Sequence, residues 1–320
     1  MTPHDLRKRA TPAGATGSTS AAGNAVAGHS VNDRISVVVL THDRPDELMR
    51  TLEHLTTLPE QPQIIVVDNA SADAVASRVM ARFAPVRLVR CADNVGAAAR
   101  NTGAAWVATD YVAFCDDDCW WAPGALARAV AILDANPRIA VLSARVLVGE
   151  NAREDATCTA MACSRLPSAG LPGPALVGFM AGASVFRTAA FRQAGGYESR
   201  LFIGGEEELI ALDLLSDEWK IVYAPMLTVH HYPSPQRDAP ARRVLLARNA
   251  IWVGWLRLPA RDAWRRTGHV LRDCARTGRL LYTMGVTLRG APWVLRHRRC
   301  VAPQVMELLH RVQRDAGDDE

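Results

Sequence analysis

The chain is predicted to be an α/β protein, built on a mixed, mostly parallel sheet with helices on both faces. Three observations predict it. Short β-branched runs alternate with helical stretches four times within about eighty residues. Each run ends in polar or acidic residues, as strand ends in such sheets do when they face a ligand crevice. The 320-residue chain is 49% hydrophobic, enough to bury a sizeable core.

Ile35-Ser36-Val37-Val38-Val39-Leu40 is the first buried strand. It ends at Thr41-His42-Asp43-Arg44-Pro45, where Asp43 is placed to cap a helix with Pro45, Asp46 and Glu47 in its first turn. Leu48, Leu52 and Leu55 recur at helical spacing, and the helix stops near Pro59. Ile64-Ile65-Val66-Val67 is the second strand and ends in Asp68-Asn69-Ala70-Ser71. A helix is expected over Val75–Phe83 and a third strand over Val86–Val89. Asn94-Val95-Gly96 then opens an Ala-rich helix running to Ala108, with Arg100 and Asn101 near its start. Tyr111–Cys115 is the fourth strand and runs straight into Asp116-Asp117-Asp118.

Beyond it, Leu126–Leu133 reads as a helix and Ile139–Val146 as a strand. Residues 147–175 lack periodicity and read as one long loop. Val177–Phe186 is expected as a strand, whose Ala181-Gly182-Ala183-Ser184 would let a ligand come close. Gly195-Gly196 marks a turn, Glu206-Glu207-Glu208 opens a helix through Leu215, and Ile221-Val222-Tyr223 is a strand ending before Pro225, followed by His230-His231. Residues 1–33 read as a disordered tail without a secretory signal, 34–235 as the α/β domain, and 236–320 as a basic helical region.

Net charge is +4, but 15 Arg against 3 Asp in residues 237–299 leave the remainder at about −8. The apolar positions there are Leu245, Leu246, Ile251, Trp252, Trp255 and Leu256, beside Arg261, Arg265, Arg266, Arg272, Arg276 and Arg279. Two roles follow: a peripheral contact with an anionic membrane, or helices packed on the α/β domain with a solvated Arg face. Nucleic acid is not expected as a partner, because no binding motif accompanies the arginines and the rest of the chain is acidic. Seven cysteines at irregular spacing, with no CxxC pair, point to reduced thiols in a cytoplasmic protein. No apolar run reaches the roughly 18 residues of a membrane span.

The chemistry concentrates at the acidic triplet. Three adjacent carboxylates repel one another and are costly to bury unless something cationic sits among them. A hard divalent ion with phosphate oxygens as further ligands fits; a solvated acidic turn is the alternative.

In this order the motifs resemble the family 2 glycosyltransferases of the GT-A fold, over roughly residues 34–235. Leu40-Thr41-His42-Asp43-Arg44 is similar to the family's opening strand end, with His42 where an aromatic ring usually meets the base. Val67-Asp68-Asn69-Ala70-Ser71 is similar to the segment whose Asp meets the nucleobase edge. Asn94-Val95-Gly96 through Arg100-Asn101 resembles the family's helix start, and a helix N-terminus with an Arg suits a diphosphate. Asp116-Asp117-Asp118 matches the DXD element, which implies Asp118 as direct metal ligand, with Asp116 and Asp117 shared between metal and donor. Gly195-Gly196-Tyr197, Phe202 and Gly205-Glu206-Glu207 resemble the segment carrying the general base, which falls on Glu207, with Glu206 and Glu208 close by. His230 or His231 falls where relatives place a further metal ligand, and imidazole suits Mn²⁺ better than Mg²⁺.

The resemblance implies an inverting transfer from a UDP-, dTDP- or GDP-sugar to the hydroxyl of a bacterial glycan, a lipid-linked or a small-molecule acceptor. Trp120, Trp121, Gly182 and Ala183 stand on the acceptor side, the two Trp being equally suited to a core. Two other classes compete: a sugar nucleotidyltransferase, disfavoured by the absence of Gly in Leu40–Pro45, and a non-catalytic nucleotide-sugar-binding module, disfavoured by the intact acids.

Overall fold

A computed structural model describes residues 30–72, 78–79, 81–233 and 239–318. Of the expected helix over Val75–Phe83, residues 78, 79, 81 and 82 are helical and 75–77 and 80 lie outside the described residues, as does the tail up to residue 29, while Val31–Asp33 forms a 3-10 turn.

The β-branched runs form a parallel quartet: β1 (Ile35–Thr41), β2 (Gln63–Asp68), β3 (Arg87–Arg90) and β4 (Tyr111–Asp116). Helix α1 (Pro45–Leu55) follows β1 and buries Leu48, Leu52 and Leu55, the positions its periodicity selects. Its N-cap is Arg44, not Asp43. Asp43 has φ +53°, and its carboxylate accepts from the Ala72 amide at 2.9 Å, so it ties β1 to the loop after β2 instead of capping. The Ala-rich stretch is shorter than expected: a 3-10 turn over Gly96–Ala98 and α2 (Ala99–Ala104). Gly103 lets α2 lie directly on the sheet, since a Cβ there would sit 2.5 Å from Val38 Cγ1.

After the acidic turn come β5 (Cys119–Trp121), α3 (Ala125–Ala135) and β6 (Ile139–Val148). The stretch 147–175 is not one open loop. It holds β7 (Arg153–Glu154), α4 (Ala156–Ala162) and β8 (Ala175–Leu176). Asp155 caps α4 by accepting from the Thr157 amide, a local signal that hydrophobic periodicity misses in so short a helix. The strand expected over Val177–Phe186 is only β9 (Ala183–Arg187). The residues ahead of it turn, with the Ala183 amide on the Met180 carbonyl, and carry Gly182 to the end of β4.

Helices α5 (Thr188–Gln193) and α6 (Glu206–Ser216) precede β10 (Lys220–His231). That strand does not stop at Pro225. Its parallel register with β6 jumps between Ala224 and Thr228, so Pro225, which has no N–H to give, falls in the unpaired stretch and the strand resumes as far as His231. Sheet order among the described residues is β3-β2-β1-β4-β9-β6-β10-β5, with β7 on β6 and β8 on β10; β9 is antiparallel to both neighbours.

Five helices follow: α7 (Ala239–Arg257), α8 (Ala260–Arg276), α9 (Leu280–Arg289), α10 (Ala291–Arg296) and α11 (Pro303–Asp318). Much of their arginine points inward. Arg257 holds Asp213 of α6 through two hydrogen bonds, joined by Arg299 at 3.1 Å, and Arg266 pairs with Glu208 at 2.7 Å. Asn249 is buried, and its Nδ2 faces the carbonyls of Leu201, Ile203 and Gly204. The expectation that these helices pack on the α/β domain therefore holds for α7 and α8. No helix among the described residues is long and apolar enough to cross a membrane.

Candidate active site

Parallel pairing brings the motif ends to one edge. Leu40 pairs with Asp116 and Thr41 with Asp68, so β1, β2 and β4 deliver their polar termini side by side. The cleft beyond this edge has a volume of about 720 Å³. Thr41, His42, Arg44, Asn69, Asn94, Gly96, Arg100, Asp116, Asp117, Asp118, Gly182, Glu206, Glu207 and His231 line it, all residues that the sequence singles out.

The acidic turn is held from several sides. Thr41 Oγ1 donates to Asp117 Oδ2 at 2.9 Å, Thr51 Oγ1 donates to the Asp117 carbonyl at 2.7 Å, and Arg44 Nη1 lies 3.3 Å from Asp117 Oδ1. Burial outweighs Arg44 and pushes the Asp117 carboxyl up to about 7. At Asp118 burial works the same way, but His231, then Cys119 and Arg44, overcome it and hold that carboxyl below its ordinary value. Asp116 is gripped by the buried Arg100, whose proton affinity rises despite burial because Asp116, Tyr197, Glu207 and Glu206 surround it. Gly182 makes room for this pair: a Cβ there would be 2.5 Å from Asp116 Oδ2. Its small size serves the carboxylate rather than a ligand.

Asp118, Cys119 and His231 offer donor atoms within 4.8 Å of one another. A carboxylate and an imidazole suit a divalent ion of the Mn²⁺ kind. Burial, then Asp116 and Asp118, push the Cys119 thiol well up, and its Sγ donates to Asp118 Oδ1 at 3.3 Å. Of the two histidines, His231 is the one at the cleft, with Nε2 3.6 Å from Asp118 Oδ1. His230 turns the other way and stacks on Trp120 at 5.8 Å; burial and then His54 lower its pKa.

The tryptophans answer to the core expectation. Trp121 is fully buried, and Trp120 stacks between His54 at 4.1 Å and Tyr232 at 4.9 Å. Neither lines the cleft, and Ala183 is buried in the pairing with Cys115. Sequence reasoning placed these three on the acceptor side because strand ends next to a site read as its wall; Trp120 and Trp121 point to opposite faces of β5, yet both faces are covered there, and all three side chains are buried.

Three further motif residues brace the cleft rather than line it. Asp68 is fully buried and accepts from the Ser71 amide at 2.8 Å, with Arg90 3.8 Å from its other oxygen. Asn101 Nδ2 donates to the Tyr197 carbonyl at 2.8 Å and its Oδ1 accepts from the Tyr197 amide at 2.9 Å. Asp43 keeps the turn described above. Asn69 Oδ1 accepts from the Val95 amide, and its Nδ2 donates to Asn94 Oδ1 at 2.8 Å. Gly96 takes φ +63° and packs so tightly on the Phe202 carbonyl that a Cβ would lie 2.0 Å from it.

The cleft also takes in the start of α6, which begins after Gly204-Gly205, both at positive φ. Its first turn carries three Glu, which the helix dipole favours. Their surroundings separate them. Glu208 is paired with Arg266, and Glu206 is buried. Burial, then Glu207, raises the Glu206 carboxyl to about 7. Glu207 lines the cleft and remains partly exposed. The sequence did not mark Phe179, Met180, Ile203, Arg242 or Leu245 as cleft residues, yet they line it. The last two come from α7, and the small α7-facing residues Gly204-Gly205 were the available hint.

Comparison with known proteins agrees with this geometry. The model of glycosyl transferase family 2 matches residues 36–195. An N-acetylglucosaminyl-diphospho-decaprenol L-rhamnosyltransferase of Mycobacterium tuberculosis is 27% identical, over 72% of this chain and 89% of its own. Residues 1–349 of S. aureus TarS in complex with UDP-GlcNAc superpose with a TM-score of 0.59 at 13% identity, over 86% of this chain and 83% of that one. The mannosyltransferase PcManGT of Pyrobaculum calidifontis, in complex with GDP-Man and Mn²⁺, gives 0.51 at 18% identity, over 90% and 88%. In another S. aureus TarS structure this chain spans 39% of the length. These structural likenesses carry the GT-A fold. The family match spans half of the chain and takes in the strand ends that build the cleft: the chain belongs to glycosyl transferase family 2, and it is a glycosyltransferase that uses a nucleotide-sugar donor.

Proposed function

We propose that the enzyme moves its sugar by a single, inverting displacement onto an acceptor hydroxyl, with Glu207 as general base. The observation that supports this is that Arg100, paired with Asp116, the rest of the Asp116–Asp118 turn and the partly exposed Glu207 line one cleft. The bond from the anomeric carbon to the donor phosphate breaks as the acceptor oxygen bonds to that carbon from the opposite face. Glu207 takes the acceptor's proton, and the nucleoside diphosphate leaves with the bonding pair. Arg100 sits where charge on the departing diphosphate would develop.

Asp118 and His231 would hold a divalent ion, with Asp116 and Asp117 shared between it and the donor. When bound, such an ion supplies positive charge to the diphosphate. Thr41, His42, Arg44, Asn69, Asn94 and Gly96 form the nucleoside side, with Asp43, Asp68 and Asn101 bracing it. UDP, dTDP and GDP are the donor nucleotides to distinguish. Solved neighbours bound to UDP-GlcNAc and to GDP-Man with Mn²⁺ support the donor class and the ion. The acceptor we favour is a lipid-linked glycan, supported by the mycobacterial relative whose name specifies a diphospho-decaprenol substrate. The catalytic unit of residues 34–235 works with 236–320 as one wall of its cleft, and the seven free thiols fit a reducing, cytoplasmic setting.

A thermal-shift screen of UDP-, dTDP- and GDP-sugars with and without Mn²⁺ tests the donor class. Glu207→Gln tests the base: transfer should fall by about 10²-fold or more, with the donor-induced shift retained. Transfer by the Gln variant at the parent rate would remove Glu207 from this role.

A further inference from the structure

Helices α9 and α10 carry apolar side chains outward. Leu281 is 84% exposed, Tyr282 67%, Leu288 64% and Leu295 64%. Leu281, Met284 and Leu288 stand three and four residues apart and so share one face of α9, which Leu295 extends onto α10. The other side of α9 is fixed by packing. Thr283 is buried, Trp252 Nε1 of α7 donates to the Thr287 carbonyl at 3.0 Å, and Gly290 admits the Trp252 ring where a Cβ would lie 2.1 Å from it. The aliphatic ridge is therefore presented to the outside by a docked helix. Contiguous exposed apolar surface of this kind marks a contact site.

Its charge setting says what it contacts. Residues 274–306 contain six Arg and no Asp or Glu. Arg298 is spent on the Trp255 and Leu258 carbonyls, and Arg299, though still exposed, pairs with Asp213. Arg276 pairs with the exposed Asp273 at 3.3 Å. Arg279 precedes α9, Arg289 ends it and Arg296 ends α10, so the ridge is bracketed by cations.

We propose that this face docks on an anionic lipid bilayer, Leu281, Leu288 and Leu295 entering the acyl boundary while Arg279, Arg289 and Arg296 meet headgroup phosphates. A second copy of the chain suits the face poorly, because ridge-to-ridge pairing would bring these arginines together with no acid among them. Nucleic acid would engage the arginines and leave the aliphatic side chains in water. Of the apolar positions that the sequence offered for such a contact, Ile251, Trp252 and Leu256 are buried, while Arg279 of its basic set flanks this face. Helix α7 links it to the cleft, since Arg242 in the cleft wall and Trp252 under α9 lie ten residues, about 15 Å, apart on one helix. Resting on the transferase reading above, that span lets an acceptor keep its lipid in the bilayer while its sugar enters the cleft. The docking itself does not depend on that reading.

The test is flotation of the full chain with vesicles, without donor or metal. Phosphatidylcholine vesicles carrying roughly 30 mol% phosphatidylglycerol should bind it, and pure phosphatidylcholine should bind it far less. Leu281→Ser with Leu288→Ser, and separately Arg289→Glu with Arg296→Glu, should each lower partitioning by about tenfold or more with the thermal midpoint unchanged. No binding to the anionic vesicles, or binding unchanged in both variants, overturns the proposal. So does a parent dimer in solution that the Leu variant dissociates, which would assign the face to a second copy.

Discussion

His231 Nε2 sits 3.6 Å from Asp118 Oδ1 because β10 and β5 run antiparallel with His231 opposite Cys119. The adjacent His230 pairs with Trp120 and stacks on it, facing away from the cleft. Two neighbouring imidazoles are thereby given opposite surroundings. His231→Ala should weaken Mn²⁺ binding by more than about tenfold, and Asp118→Ala should do at least as much. His230→Ala should leave Mn²⁺ affinity near the parent value while lowering stability through the lost stack. Titration calorimetry with Mn²⁺ on the three variants checks this, and equal losses at both histidines would contradict it.

Asn249 joins α7 to the loop ahead of Glu206. Replacing it with Ala leaves the carbonyls of Leu201, Ile203 and Gly204 without their buried donor. Asn249→Ala should cost about 2–4 kcal/mol in urea unfolding. It should also raise KM for the donor, because Phe202 and Ile203 of that loop line the cleft. A variant as stable as the parent would mean that the loop is held by other contacts.

Gly96 has no room for a side chain. Its positive φ and the 2.0 Å approach of a Cβ to the Phe202 carbonyl predict that Gly96→Ala destabilises the fold by about 3 kcal/mol or more. The Ala97 amide, which donates to that carbonyl at 2.7 Å, should lose its partner, and exchange there should quicken in hydrogen-exchange measurements.

The Glu206 carboxyl binds its proton more tightly in the fold than in the unfolded chain. Its contribution to stability is therefore complete below its ordinary 4.5 and is lost as pH rises through about 7. Glu206→Gln removes that titration. Relative to the parent, the variant should gain stability between about pH 5 and about pH 8, read from paired urea curves. Curves that keep a constant separation across this range would show that Glu206 does not carry the shift.

β1 and β2 were legible as β-branched runs, and β4 as an apolar run leading straight into its motif; all three stand within a residue or two of the expected bounds. The cleft residues at those ends were legible for the same reason. What periodicity could not see was set by long-range pairing. The continuation of β10 through Pro225 depends on β6, and the choice between His230 and His231 depends on β5. Trp120 and Trp121 were ambiguous because an aromatic ring beside a site has the same composition whether it faces a ligand or a core. Arg242 and Leu245 were out of reach because their part in the cleft comes from the docking of α7, fixed by Arg257, Asp213 and Asn249 far along the chain.

The break in register between Ala224 and Thr228 sets the phase of the last four residues of β10 independently of the first five. Strand side chains alternate, so a deletion of one residue in this break would carry His230 one position back and His231 onto Trp120 without altering either half of the sheet. The position beside Asp118 would then lose its imidazole and receive a phenol. The length of this small insertion, as much as the identity of the histidine, decides whether the cleft receives an imidazole at all.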